Sequence, residues 1–358
     1  MSSNPNIAEV LSLILQPAFH VCDDQISECN DAAQRLLIVP GTPIADYLPP
    51  VSREYHAFEN GCMILPLIIN DITTSATVTG LGNGRLFVLD TEDHIAELRT
   101  LSLTAANMRQ PLSAMIATSN SLSPLLDGTQ DPKVLEHLER FHRNLHQMHR
   151  MLCNMSDVLQ YADGVSKHMV CQNIVSFAET IFQKAQMLVE HCGLKLEYTT
   201  PAEAILCSID EQLLERGIFN MISNAIKFSP KGGTIHAALI RREKAIYISI
   251  QDEGPGIPSH LMGSIFHRYQ RQPGLEDSRY GLGLGLTLVR SAAIVHGGTV
   301  LLDHPNQRGT RITMCIPIRQ SGPMLRSERI TIDYAGGWDH ALLELSDVLP
   351  ASLYQHKN

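Results

Sequence analysis

The chain has 358 residues, enough for two or three domains and more than one apolar core. Hydrophobic residues make up 44% and charged residues 18%, too apolar a composition for a disordered chain. Acidic residues outnumber basic ones 37 to 28, a formal charge of -9, which argues against a general nucleic-acid binder because phosphate neutralisation needs a basic face. The longest apolar run, CMILPLII at 62–69, falls far short of the ~20 residues of a membrane span. The opening residues, MSSNPNIAEVL, lack a basic stretch leading into an apolar core, so a cytoplasmic protein is expected. Eight cysteines are scattered without a C-x-x-C pair and read as reduced thiols rather than disulfides or zinc ligands.

In chain order, the first ninety residues are short and strand-like. Alternation predicts a hairpin over 18–22 and 25–29, then a short helix started by Asn30. Three β-rich runs follow at 61–69, 73–79 and 85–89, the last two separated by Gly80-Leu81-Gly82-Asn83-Gly84, a turn signal. This hairpin, Asn-initiated helix and three-strand meander resemble a PAS sensor domain, which would occupy residues 1–92.

The next segment changes rhythm. Leu98, Leu101, Ala105, Met108, Leu112, Met115, Ser119 and Leu122 alternate three and four apart, as on a helix seam. A break at 126–131 precedes Pro132, suited to a first helical turn, and a second stripe follows: Leu138, Phe141, Leu145, Met148, Leu152, Met155 and Leu159. Two such helices form a hairpin whose narrow stripes predict a four-helix bundle by dimerisation. Beside the second stripe stand His137, His142, His146 and His149, readable as a metal or proton sensor, an unusual acceptor, or a solvated flank.

From residue 170 to 318 the pattern is mixed α/β. Helices are expected at 173–191 (ending at Gly193), at 208–228 (with Ser208 and Glu211 as a capping box) and at 285–296. Strands are expected at 195–198, 204–208, 234–240, 245–251, 299–302 and 310–316. The tail after residue 318 predicts a strand at 330–334 and a helix at 339–348.

Four segments carry the chemistry. On the 208–228 helix, Arg216, Asn220, Asn224 and Lys227 share one face; a carboxamide oxygen suits Mg²⁺ and an ammonium suits phosphate, although a plain solvated face has the same spacing. Asp252-Glu253-Gly254-Pro255-Gly256-Ile257 closes a strand, placing a carboxylate for an exocyclic amine next to turn-forming glycines. Ile265-Phe266-His267-Arg268-Tyr269-Gln270-Arg271 alternates apolar anchors with guanidinium groups. Gly281-Leu282-Gly283-Leu284-Gly285 precedes a helix and offers backbone amides to an anion, without the strand a dinucleotide fingerprint needs.

In this order the four segments resemble the N, G1, F and G2 boxes of the sensor histidine kinases, whose GHKL ATP-binding domain is shared with gyrase, a heat-shock chaperone and MutL. The resemblance covers residues 101–318. It implies an α/β sandwich ATPase at 166–319, a dimerisation hairpin at 93–165 and a C-terminal extension at 320–358. It implies ATP and Mg²⁺ as cofactors, Asn224 as the metal ligand with Asn220 beside it, and Lys227 on phosphate. Asp252 would meet adenine N6, Gly254, Gly256 and Ile257 would border the base, and Arg268 or Arg271 would meet the γ-phosphate. Gly281, Leu282, Gly283, Leu284 and Gly285 would form the lid hinge and phosphate loop.

At the acceptor position the chain departs from the family. The family pattern H-E-x-x-[TN]-P-L stands here as Ala106-Asn107-Met108-Arg109-Gln110-Pro111-Leu112. Alanine offers no nucleophile, so self-phosphorylation is not expected there. Gln110 could orient water for phosphatase action or be a plain surface residue. The resemblance implies a response regulator partner and a homodimer. The alternatives are a non-catalytic scaffold or regulator phosphatase, a kinase of a histidine-bearing partner subunit in trans, and a serine kinase.

Overall fold

The structure is a computed structural model that describes residues 7–48, 55–56, 58, 61–70, 72–89, 93–126, 131–161, 168–257, 284–304, 309–320 and 334–354. After helix α1 (Ile7–Ser12), strands β1 (Ala18–Cys22) and β2 (Gln25–Cys29) pair through a turn at Asp23 and Asp24. Asn30 then caps α2 (Asp31–Arg35), its side-chain oxygen accepting from Ala33 N at 3.0 Å. Strands β3 (Cys62–Ile69), β4 (Ile72–Leu81) and β5 (Gly84–Leu89) complete the meander that the alternation predicts.

The helices α3 (Asp93–Leu126) and α4 (Pro132–Gln160) form a hairpin, with Pro132 at the first position of the second. Only half of each stripe closes the hairpin. Ala105, Leu112, Leu145 and Leu152 form its core, while Met108 (47% exposed), Met115, Leu122, Phe141 (43%) and Met148 face outward.

The remaining elements are β6 (Val170–Asn173), α5 (Ile174–Glu190), β7 (Lys195–Thr199), β8 (Leu206–Ile209), α6 (Glu211–Phe228), β9 (Thr234–Arg242), β10 (Ala245–Gln251), α7 (Gly285–Val295), β11 (Thr299–Asp303), β12 (Arg311–Pro317) and α8 (His340–Glu344). Helices α5, α6 and α7 bury their apolar stripes against the strands, and Ile246, Ile248 and Ile250 on alternate positions of β10 supply the sheet's share of that core.

Three expectations are corrected. Ser208 lies in β8, and the cap of α6 is Asp210, which accepts from Leu213 N at 3.1 Å; the carboxylate two residues later has the extended backbone that a cap needs. Strand β6, unexpected from the sequence, pairs with β8. The tail helix is α8 alone, ending at Glu344 with Leu345 as its C-cap, because residues 345–349 turn inward to bury Leu345 and Leu349. The expected strand at 330–334 lies outside the described residues up to 333.

The ten strands of the main sheet run β2-β1-β5-β4-β3-β11-β12-β10-β9-β7, antiparallel throughout except for β7 with β9. The seam is the antiparallel pair β3–β11. Alternate residues of β3 serve different cores: Cys62 and Ile64 face the helices α5–α7, and Met63, Leu65 and Leu67 face the N-terminal core with Phe19 and Phe87. That two-sided burial explains why CMILPLII is apolar at nearly every position. Gly61 sits at the join with φ +105°, where a Cβ would lie 2.1 Å from the Leu302 carbonyl oxygen. Among the described residues, no helix is long and apolar enough to cross a membrane, and no disulfide forms.

Candidate nucleotide site

Helix α6 is fixed at its start by a buried relay. Asp210 N donates to His296 Nε2 at 2.9 Å, and His296 Nδ1 donates to Ala292 O at 2.6 Å, which sets one neutral tautomer. Burial lowers the His296 pKa, consistent with an uncharged ring. From that anchor, Arg216, Asn220 and Asn224 follow at four-residue steps, with Ser223 and Lys227 beside them.

The face is closed. Arg216 is 1% exposed and Asn220 3%, while Asn224 and Lys227 are half-buried. Asn220 Nδ2 donates to Arg216 O at 2.8 Å, and its Oδ1 accepts from Arg150 Nη2 of α4 at 3.0 Å. Two carboxylates of the tail supply the counter-charge. Glu344, fully buried, accepts from Arg216 Nε at 2.8 Å and from Arg150 Nε at 3.2 Å. Asp347 pairs with Lys227 and Arg150 and accepts from Ser223 Oγ at 3.1 Å. Arg216 also pairs with Asp157 and lies over the Tyr334 ring, 5.0 Å from its centroid.

These contacts set the ionisation. Burial pulls the Lys227 pKa down, with Asp347 opposing it. Burial alone would raise Asp347, but Arg150 and Lys227 outweigh it and hold the carboxyl below its ordinary value.

At the end of β10, Asp252 is buried, and its Oδ1 accepts from Gly254 N at 2.8 Å and Thr310 N at 3.1 Å. Burial raises its pKa and these two bonds oppose the rise. The sequence suggests that Gly254 makes room for a base, yet its missing side chain has a nearer reason: a Cβ would stand 2.6 Å from the Phe228 carbonyl oxygen at the end of α6. Ile257 packs on the helix-bearing core and its carbonyl meets His304 Nε2 at 3.0 Å.

Leu284 and Gly285 start α7 without a side-chain cap, leaving the backbone N–H groups of its first turn for an anion. A Cβ on Gly285 would lie 2.9 Å from Asn220 Oδ1, so this helix start stands directly on the α6 polar face. Arg268, Arg271, Gly281, Leu282 and Gly283 lie outside the described residues. On α3, Ala106, Asn107 and Gln110 are all exposed.

Sequence reasoning missed Arg150, Glu344 and Asp347. The α4 histidines contact the tail: the His146 ring stacks on Trp338 with centroids 3.8 Å apart, and His149 Nε2 donates to Tyr334 O at 3.0 Å. His142 Nδ1 donates to Tyr354 O at 3.2 Å. Among the described residues, no group of three or more His, Cys, Asp or Glu is placed to hold a metal ion.

Residues 209–320 match the family model of the histidine kinase-, DNA gyrase B-, and HSP90-like ATPase. This chain carries that ATPase domain. Hybrid signal transduction histidine kinase D of Dictyostelium discoideum is 30% identical over 220 residues, covering 59% of this chain and 14% of that protein. The adaptive-response sensory kinase SasA of Gloeothece citriformis is 25% identical, covering 70% of this chain and 66% of its own length. Sensor histidine kinase WalK of Bacillus subtilis is 29% identical, with coverage of 60% and 36%. The chain therefore spans less than two thirds of these relatives. Among solved structures, full-length ShkA in complex with AMPPNP aligns with a TM-score of 0.49 and 18% identity over 62% of this chain and 46% of that one. The ATPase match and the kinase relatives support a place in the sensor histidine kinase family and support ATP binding.

Proposed function

We propose that this chain is a cytoplasmic, dimeric signalling protein of a two-component system that binds Mg-ATP and lacks the usual phosphoacceptor. The observation that carries the reading is the convergence of Asn220, Asn224 and Lys227 on one face of α6, with the uncapped start of α7 against Asn220. In this reading residues 1–92 sense a signal, 93–165 dimerise, 166–319 bind nucleotide and 320–358 form an extension.

The donor set fits the nucleotide. Asn224 offers a hard amide oxygen that would hold Mg²⁺, whose contribution when bound is to neutralise charge between phosphate groups. Lys227 would position a phosphate oxygen, and the first N–H groups of α7 would receive another. Asp252 holds the backbone through Oδ1, so Oδ2 would accept from the adenine amine. Arg268 and Arg271 would close on the γ-phosphate. The outward half-stripes with Met108 and Phe141 would be covered by a second copy of the hairpin.

The histidine kinase relatives support a response regulator as partner. Ala106 favours one variant of this reading: a nucleotide-gated scaffold or regulator phosphatase, with transfer, where it occurs, directed to a histidine-bearing partner subunit. Titration of ATP with and without Mg²⁺ tests the reading; saturable, Mg-dependent binding lost in Asn224→Ala is expected, and no binding at millimolar nucleotide contradicts it.

A further inference from the structure

Among the described residues, the cation that the nucleotide reading assigns to phosphate, Lys227, is already engaged by a carboxylate of the same chain. Asp347 meets Lys227, Arg150 and Ser223, which is one anion held by two cations and a hydroxyl, the chemistry a phosphate oxygen would meet. Glu344 joins Arg150 to Arg216 just below, and Arg150 reaches on to Asn220. We propose that residues 334–354 form a strap occupying the phosphate half of the nucleotide site, so that Mg-ATP and Asp347 compete for Lys227 and Arg150. The proposal rests on the ATP reading above and adds Arg150, a residue of the helical hairpin, to the phosphate-binding set.

The strap is also held beside the groups proposed to meet phosphate: His340 Nδ1 meets Glu215 Oε2 of α6 at 2.7 Å, and Leu345 and Leu349 pack in the helix-bearing core. Trp338 stacks on His146, Gln147 Nε2 donates to Ser346 O at 2.8 Å, and His142 meets the Tyr354 carbonyl. His142, His146 and Gln147 belong to α4, as does Arg150, whereas Lys227 and Ser223 belong to α6. The strap therefore ties the hairpin to the ATPase domain through the groups that ATP would claim. When it leaves, Arg150 and Lys227 lose their counter-ion and face the triphosphate. A ligand can shift this equilibrium only by its differential affinity for the open state, so strap and nucleotide must weaken one another.

The test is calorimetric titration of the full chain with Mg-ATP and, separately, with adenosine, which has no phosphate. Asp347→Asn is expected to tighten Mg-ATP about ten-fold and to leave adenosine unchanged. Trp338→Ala, which loosens the strap away from the site, is expected to act in the same direction, guarding against a local folding defect in the first variant. In the wild type, the chain's single tryptophan should change its emission on saturation with Mg-ATP and not with adenosine. Equal Mg-ATP affinity in wild type and both variants overturns the strap while leaving ATP binding in place. Equal gains for ATP and adenosine also overturn it, by removing the phosphate from the competition. Absence of binding in all three proteins overturns the nucleotide reading itself.

Discussion

Helices α6 and α3 stand in contrast. On the α6 face Arg216 and Asn220 are buried, Asn224 and Lys227 are half-buried, and both cations are paired, Arg216 with Glu344 and Lys227 with Asp347. On α3, Ala106, which the proposed reading sets at the phosphoacceptor position, is exposed, with Asn107 and Gln110 exposed beside it. The difference teaches that a buried polar face and an exposed one answer to different constraints. A buried charged face survives only with counter-charge, because desolvation would otherwise destabilise it. An exposed alanine needs no counter-charge from its surroundings, so a change of side chain at position 106 should leave the fold undisturbed.

The largest effect should come from removing that counter-charge. Glu344→Ala removes the fully buried carboxylate shared by Arg216 and Arg150, leaving them Asp157 and Asp347, and is expected to cost about 3 kcal/mol, read from the urea midpoint at pH 7. Next in size is Asp252→Asn. In the proposed reading it replaces an acceptor with a donor facing the adenine amine, so nucleotide affinity should fall by about 10- to 100-fold with little change in the fold.

Acid should loosen the strap. Burial lowers the His146 pKa from 6.5 to about 4, with His142 and His149 of its own helix adding to the fall and Asp339 of the tail opposing it. The docked state excludes a proton that the undocked ring accepts, so this contribution is complete above pH 6.5 and is lost as pH falls toward 4. Stability should drop by about 1–2 kcal/mol between pH 7 and pH 5, and His146→Phe should flatten that slope. The smallest effect belongs to an exposed pair. Arg311→Ala breaks the half-exposed bond to Asp303 and should change the midpoint by less than about 1 kcal/mol, setting the scale against which the Glu344 network is judged.

Most of the fold was legible because it is written in local periodicity. The hairpin 18–29, both long helices and the β9–β10 pair follow from alternation and three-four spacing, which depend only on neighbouring residues. The N-terminal end of α6 was misread because Ser208 and Asp210 both suit a cap, and only the pairing of β8 with β6 assigns Ser208 to a strand. The α6 face itself was visible as Asn220, Asn224 and Lys227. What closes it was not. Asp347 lies far along the chain from Lys227, and no spacing rule links a short tail to a helix in the middle. One signal was present and read otherwise, as a sensor, an acceptor or a solvated flank: His142, His146 and His149 share a helix face, and an aromatic surface of that kind calls for a partner, which Trp338 provides. The apolar continuity of β3 was a second such signal, pointing to burial on both sides and hence to the seam with β11.

The measurement that bears most directly on the contrast between α6 and α3 is incubation of the full chain with γ-labelled Mg-ATP, followed by filter retention and by mapping of covalent label. The account predicts that nucleotide is retained while no acid-labile label appears in residues 100–112. Label in that segment, or failure to retain nucleotide at millimolar concentration, would contradict it.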